Sequence, residues 1–307
     1  MYLEHFGLNE TPFSLTPDTG YFFSYGHYAD ALNTLLVALG GGEGFIKVTG
    51  EVGTGKTLLC RKLLNTLDQT FVTAYIPNPM VTPYGLLTAV AEELGLNIDR
   101  HYGHHQLLKM ISGRLIHFTA EGKRVVICMD EAQAMPIETL ESLRLLTNLE
   151  TEKSKLMQVV LFAQPELDDK LNRQEIRQLK QRITFSYTLK PIDKTGMASY
   201  VSHRLVTAGY QGGELFSLTA LQQLYKASRG IPRLINILSH KAMLVSYGRG
   251  ERQVTPAHMK ISIKDTEDAQ LKSHFRLPLR KDVLQGGLWV TLSLSLAALA
   301  GMLVQSS

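Results

Sequence analysis

Gly50-Glu51-Val52-Gly53-Thr54-Gly55-Lys56-Thr57 carries three glycines, two threonines and a lysine from the end of an apolar run at 45–49 into a helical pattern at 56–67. A strand before and a helix after is the context a phosphate-binding loop requires. The glycines let the chain wrap with its amides turned inward, so successive N–H groups at a helix N-terminus surround a phosphate. The nucleotide-binding set read from this stretch is Gly50, Glu51, Val52, Gly53, Thr54, Gly55, Lys56, Thr57 and Leu58. Lys56 is expected to reach the β- and γ-phosphates, and the Thr57 hydroxyl to ligate Mg2+.

Around the loop, short apolar runs at 45–49, 71–76, 125–129, 157–163 and 185–189 read as strands. Helical patterns at 56–67, 84–94, 105–120 and 137–149 separate them, and 27–39 puts Leu32, Leu35, Leu36 and Leu39 on one helix face before the break at Gly40-Gly41-Gly42. Strands alternating with helices predict an α/β fold, a parallel sheet covered on both faces. Beyond Pro191 the patterns at 194–208, 219–229, 232–247 and 256–266 are all helical. The expected organisation is therefore an α/β domain over 1–192, an all-α lid over 193–266, a linker over 267–285 and a membrane helix over 286–304.

The run at 125–129 delivers Asp130 and Glu131 to a strand's carboxyl end, the edge where parallel sheets bind ligands. Asp130 is placed to hold the metal through its water shell, and Glu131 to act as general base on an attacking water. A pair of solvated acids at a strand end is the alternative reading. A switch that only binds nucleotide needs Asp130 but not Glu131, so the pair predicts ATP hydrolysis. Gln164 follows the run at 157–163 and can hydrogen-bond the γ-phosphate or the water, or cap the helix that follows. Arg233, in Gly230-Ile231-Pro232-Arg233, can fold back onto the phosphates and report hydrolysis as a domain rotation, or pair with an acid. Arg173, Arg177, Lys180 and Arg182 form a solvated helix face, or supply an arginine to a neighbouring subunit's γ-phosphate, with Arg182 nearest the sheet edge.

Composition narrows the class. The 307 residues are 44% hydrophobic and 20% charged, which excludes a disordered, collagen-like or polytopic membrane chain. Cys60 and Cys128 cannot make a disulfide framework and read as packed small groups. His101, His104 and His105 lack a completing cysteine or acid, so they read as solvated rather than metal-binding. The start, Met1 to Glu10, has none of the features of a signal peptide. By contrast 286–304, GGLWVTLSLSLAALAGMLV, has no charge and as a helix is about 28 Å long, close to the hydrocarbon thickness of a bilayer. Lys272, Arg276, Arg280 and Lys281 precede it, so the positive-inside bias keeps the body of the chain in the cytoplasm. These four residues equal the whole net charge of +4. The excess thus favours orientation and contact with anionic lipid over nucleic acid.

GEVGTGKT at 50–57, MDEAQ at 129–133, AQPEL at 163–167, KQRI at 180–183 and GIPRLIN at 230–236, with FGLNETPF at 6–13, resemble the AAA+ ATPases of the general secretion pathway protein A (ExeA-like) family. The resemblance covers about residues 1–262. It implies the AAA+ fold, ATP and Mg2+ as ligands, sensor 1 at Gln164, sensor 2 at Arg233, an arginine finger near Arg182, and Pro12 and Phe13 near the adenine. It further implies a homo-oligomer, dimer or ring, working with inner-membrane components of a secretion system. A short chain with a span is similar to the family's mannose-sensitive haemagglutinin (MSHA) type IV pilus branch. Longer members carry a periplasmic cell-wall-binding domain after the span, whereas here three residues follow Val304, so direct cell-wall contact is not expected. The expected place is the bacterial inner membrane, single-pass, with the ATPase domain cytoplasmic. The competing expectations are a DNA-associated regulator of the transposition ATPase type and an ATP-dependent scaffold that does not hydrolyse.

Overall fold

A computed structural model describes residues 2–99, 101–150 and 155–270. The basic residues at 272–281 and the apolar segment at 286–304 lie outside the described residues. Among the described residues no helix is long and apolar enough to cross a membrane.

Five strands, β1 (Phe45–Gly50), β2 (Phe71–Ile76), β3 (Arg124–Met129), β4 (Met157–Ala163) and β5 (Ile183–Leu189), form one sheet in the order β2-β3-β4-β1-β5. Every pairing is parallel. Side chains alternate between the two faces, as the strand period demands. In β3, Val126 and Cys128 join one hydrophobic cluster, while Val125, Ile127 and Met129 join the other. In β4, Val160 and Phe162 take the first face, and Val159, Leu161 and Ala163 the second. These central strands are apolar on both faces, hence their unbroken hydrophobic runs.

Helices α1 (Tyr2–Phe6), α2 (His27–Gly40) and α3 (Lys56–Thr66) belong to the first face. Helices α4 (Pro83–Glu93), α5 (His104–Ala120) and α6 (Ile137–Leu146) cover the second. Local chemistry sets their starts: Thr82 accepts a hydrogen bond from Gly85 N ahead of Pro83, the first residue of α4. Two short helices, α7 (Glu166–Leu171) and α8 (Arg177–Arg182), connect β4 to β5. The helical part follows as α9 (Lys194–Thr207), α10 (Leu218–Ser228), α11 (Pro232–Gly248), α12 (Pro256–Lys264) and α13 (Glu267–Gln270). Asp193 caps α9 through Gly196 N, and that backbone donor, with the Thr195 hydroxyl, holds its carboxyl below the usual range.

Met1–Ala269 is one compact unit, because the leading segment ties the α/β part to the lid. Arg204 of α9 is only 4% exposed, with its guanidinium 4.4 Å from the Tyr21 ring. It donates to Pro12 O at 2.5 Å and Ser14 O at 3.1 Å. Phe13 meets Phe216 edge-on at 6.0 Å.

Candidate functional site

The ends of β1, β3 and β4 lie at one edge of the sheet, with Thr49 opposite Ala163 and Met129 opposite Leu161. The glycine-rich loop turns there between Gly50 and Lys56. Its bend is held from inside: the buried Thr54 returns both its amide, at 3.3 Å, and its hydroxyl, at 2.8 Å, to Glu51 O. Tyr28 of α2 braces it from outside, donating its hydroxyl to Thr54 O at 2.8 Å. Gly53 is in the left-handed region at φ 80°, and a Cβ there would lie 2.7 Å from Cβ of Arg233 and 3.2 Å from Ile231. Only glycine lets the lid come so close. The approach is sealed by Arg233 N donating to Gly53 O at 3.2 Å.

Lys56, at the start of α3, is 5% exposed and donates to Gly50 O at 2.8 Å and Glu51 O at 3.0 Å. Burial pushes its ammonium pKa down, and the neighbouring Glu131 and Asp130 oppose that shift. Asp130, 3% exposed, is pushed up by burial, against a hydrogen bond from the Thr57 side chain and one from the Glu131 amide. The Thr57 hydroxyl and the Asp130 carboxyl are thus neighbours at this edge.

Glu131 has φ 54°, the left-handed region, and begins the 3-10 turn Ala132–Ala134. Its carboxylate accepts from Gln164 Nε2 at 3.1 Å and from Gln133 Nε2. Gln164 N in turn donates to Gln133 Oε1 at 2.9 Å. Glu131 and Gln164, on neighbouring strand ends, are brought together. Gln133, which the sequence marks only as part of the MDEAQ motif, and Lys170, which donates to Gln133 O and Met135 O, complete the group.

The donor set fits a magnesium nucleotide. A buried ammonium donates to the loop carbonyls, the loop is too close to the lid for a side chain at Gly53, and a hydroxyl meets a carboxylate. Among the described residues no three His, Cys, Asp or Glu side chains gather as a metal cluster. Thr57 and Asp130 with phosphate oxygens are the kind of set Mg2+ takes in nucleotide sites.

Residues 39–171 match the AAA domain family. The chain is 40% identical over 301 residues to the general secretion pathway protein A of Aeromonas hydrophila, an alignment covering 98% of this chain and 53% of that protein. The chain is an AAA protein of the secretion pathway protein A type. It spans about half the length of this curated relative. Among solved structures, this AAA protein superposes on the Aeropyrum pernix ORC2 protein in its ADPNP-ADP complexes with a TM-score of 0.63 at 16% identity, covering 87% of this chain and 74% of that one. The ORC1 protein of the same organism, solved in complex with DNA, gives 0.61 at 18% identity, over 83% of this chain and 69% of that one. Such distant likeness shows the fold alone. It leaves the expectation that nucleic acid is not a partner without support, since a fold neighbour holds DNA.

Arg182 and the Pro12–Phe13 pair make their described contacts away from the phosphate loop. Arg182, at the end of α8, points to the end of α6, with Nη1 3.3 Å from Thr147 Oγ1 and 3.5 Å from Arg144 O. Arg173, Arg177 and Lys180 are exposed. Pro12 and Phe13 contact Arg204 and Phe216 of the lid, whereas Tyr28 of α2 reaches the loop. His101, His104 and His105 are exposed, the latter two in the first turn of α5. Cys60 and Cys128 are buried.

Proposed function

We propose that the protein binds ATP with Mg2+ and hydrolyses it, and that the cycle moves the lid against the α/β part. The observation that carries the reading is the meeting of Glu131 and Gln164 at the sheet edge that also presents Lys56 and the Thr57–Asp130 pair. Lys56 exchanges its loop carbonyls for β- and γ-phosphate oxygens. Thr57, and Asp130 through the metal's water shell, would hold Mg2+, which when bound would neutralise charge developing on those oxygens. Glu131 accepts a proton from the water that attacks the γ-phosphorus, the bond to the bridging oxygen breaks, and ADP leaves with phosphate. Gln164 orients Glu131 and the water. Arg233, already seated on Gly53, senses whether the γ-phosphate is present and passes this to α11. Arg182 is the arginine offered to a neighbouring copy in a dimer or ring.

At the level of the cell, the reading is a single-pass component of the bacterial inner membrane with its ATPase domain in the cytoplasm. The apolar 286–304 segment and the basic residues before it support this, as does the secretion-pathway relative. There it drives or regulates assembly of an MSHA-type pilus or a type II secretion-like machine, through membrane partners and with anionic lipid at the basic residues.

The test is Glu131→Gln. Turnover should fall by about two to four orders of magnitude while ATP binding by calorimetry persists. Unchanged turnover would remove Glu131 as the base and, with it, the main argument for hydrolysis at this site.

A further inference from the structure

Lys170 lies in α7, six residues after Gln164, on the connection that leaves β4. Its half-buried side chain crosses to a different segment, where the ammonium donates to Gln133 O at 2.5 Å and Met135 O at 2.8 Å. Those carbonyls close the 3-10 turn that begins at Glu131. The turn starts from an unfavourable position, because a non-glycine residue in the left-handed region is retained only where its surroundings hold it. Gln133 is gripped by Lys170 through its backbone. Its side chain gives Nε2 to the Glu131 carboxylate and takes Gln164 N on Oε1. A continuous path therefore runs from α7 through Gln133 to the Glu131 carboxylate.

We infer that Lys170 is a positioning residue for Glu131, acting through the clamped turn and the Gln133 amide. The inference rests on Glu131 being the base in the reading above. Lys170 touches no reacting atom: it fixes the turn, and the turn fixes the direction of the carboxylate. Because α7 and Gln164 share one connection, the clamp ties the aim of the base to the segment placed next to the γ-phosphate.

The experiment compares the full-length wild type with Lys170→Met, Lys170→Arg and Gln133→Leu, by steady-state ATP hydrolysis, ATP-binding calorimetry and hydrogen exchange of the apo protein. Lys170→Met keeps the stem and removes the donors. Exchange at the Ala134 and Met135 amides, which bond back to Glu131 O and Ala132 O, should accelerate about tenfold or more. The kcat should fall about 10- to 100-fold, the scale on which supporting residues act, with KM and the binding constant for ATP unchanged. Lys170→Arg, which keeps a cationic donor, should recover most of the kcat. Gln133→Leu leaves the clamp but breaks the last link, so kcat should fall without faster exchange. Unchanged kcat in Lys170→Met or in Gln133→Leu overturns the inference, as does a loss that appears in KM and ATP affinity instead. Should Lys170→Met fail to fold, Lys170→Arg and Gln133→Leu give the decision alone. A wild type that binds ATP without hydrolysing it would defeat the base assignment separately, and the exchange data would still report whether Lys170 holds the turn.

Discussion

At the residue scale the site works against the fold's own preference for uncharged interiors. Asp130 is nearly inaccessible, and burial raises its pKa against the hydrogen bonds from Thr57 and the Glu131 amide. A carboxyl whose pKa is higher in the folded than in the unfolded chain contributes stability below the unfolded value and loses it as pH rises through the folded value. At neutral pH the ionised group is therefore a net burden without a metal. Asp130→Asn should raise the melting temperature of the apo protein at pH 7, equivalent to about 1 kcal/mol, and abolish any further stabilisation by ATP with Mg2+. Melting curves at pH 7 and near pH 4 check this, because the gain should shrink at the lower pH, where the native carboxyl takes up its proton. The phosphate loop, Asp130 and Glu131 were legible in the sequence because adjacent residues define them. The role of Gln133 is not legible in the sequence, because its partners Gln164 and Lys170 lie 31 and 37 residues away, just past β4 and on α7.

At the element scale the decisive contact is between the lid and the loop. Gly230, with φ 75°, packs so tightly that a Cβ would meet Ile192 O at 2.0 Å, and Ile192 N donates to Gly230 O at 2.8 Å. This crossing holds the start of α11 against Gly53 and thereby sets Arg233. Gly230→Ala adds both a backbone clash and an unfavourable φ. It should cost at least about 2 kcal/mol in urea unfolding and weaken ATP binding, although residue 230 bears no side chain to contact a nucleotide. The five strands and the longer helices follow their hydrophobic periods closely. Helices α7 and α8 are legible only as a helix after Gln164 and a helix face around 173–182, without bounds, and the 3-10 turns not at all, since three to six residues hold too few turns to display a period. The seat of Pro12 and Phe13 on α9 and Phe216 was equally hidden, because the Arg204 clasp joins positions about 190 residues apart.

At the scale of the whole molecule, the described residues supply one compact ATPase-like body, and the proposed attachment to a membrane rests on the sequence at 272–304. In a lysate the full-length chain should pellet with membranes, resist extraction by high salt, and be released by detergent. Fractionation and immunoblotting give the outcome directly. Recovery in the supernatant without detergent would leave the basic residues as a surface contact at most. The body itself carries the AAA fold whatever its partner, so the identity of that partner belongs to the whole chain and not to the sheet edge.

Lys56 fills the phosphate loop from within. Its ammonium already occupies the hollow of the loop, bonded to the carbonyls of Gly50 and Glu51. It is a resident placeholder for the cation side of a salt link. A nucleotide entering does not have to organise a collapsed loop; it swaps one set of hydrogen bonds for another. Such an exchange gives up part of the intrinsic affinity and, in return, leaves the cradle shaped whenever a nucleotide departs, which would suit the repeating cycle proposed above.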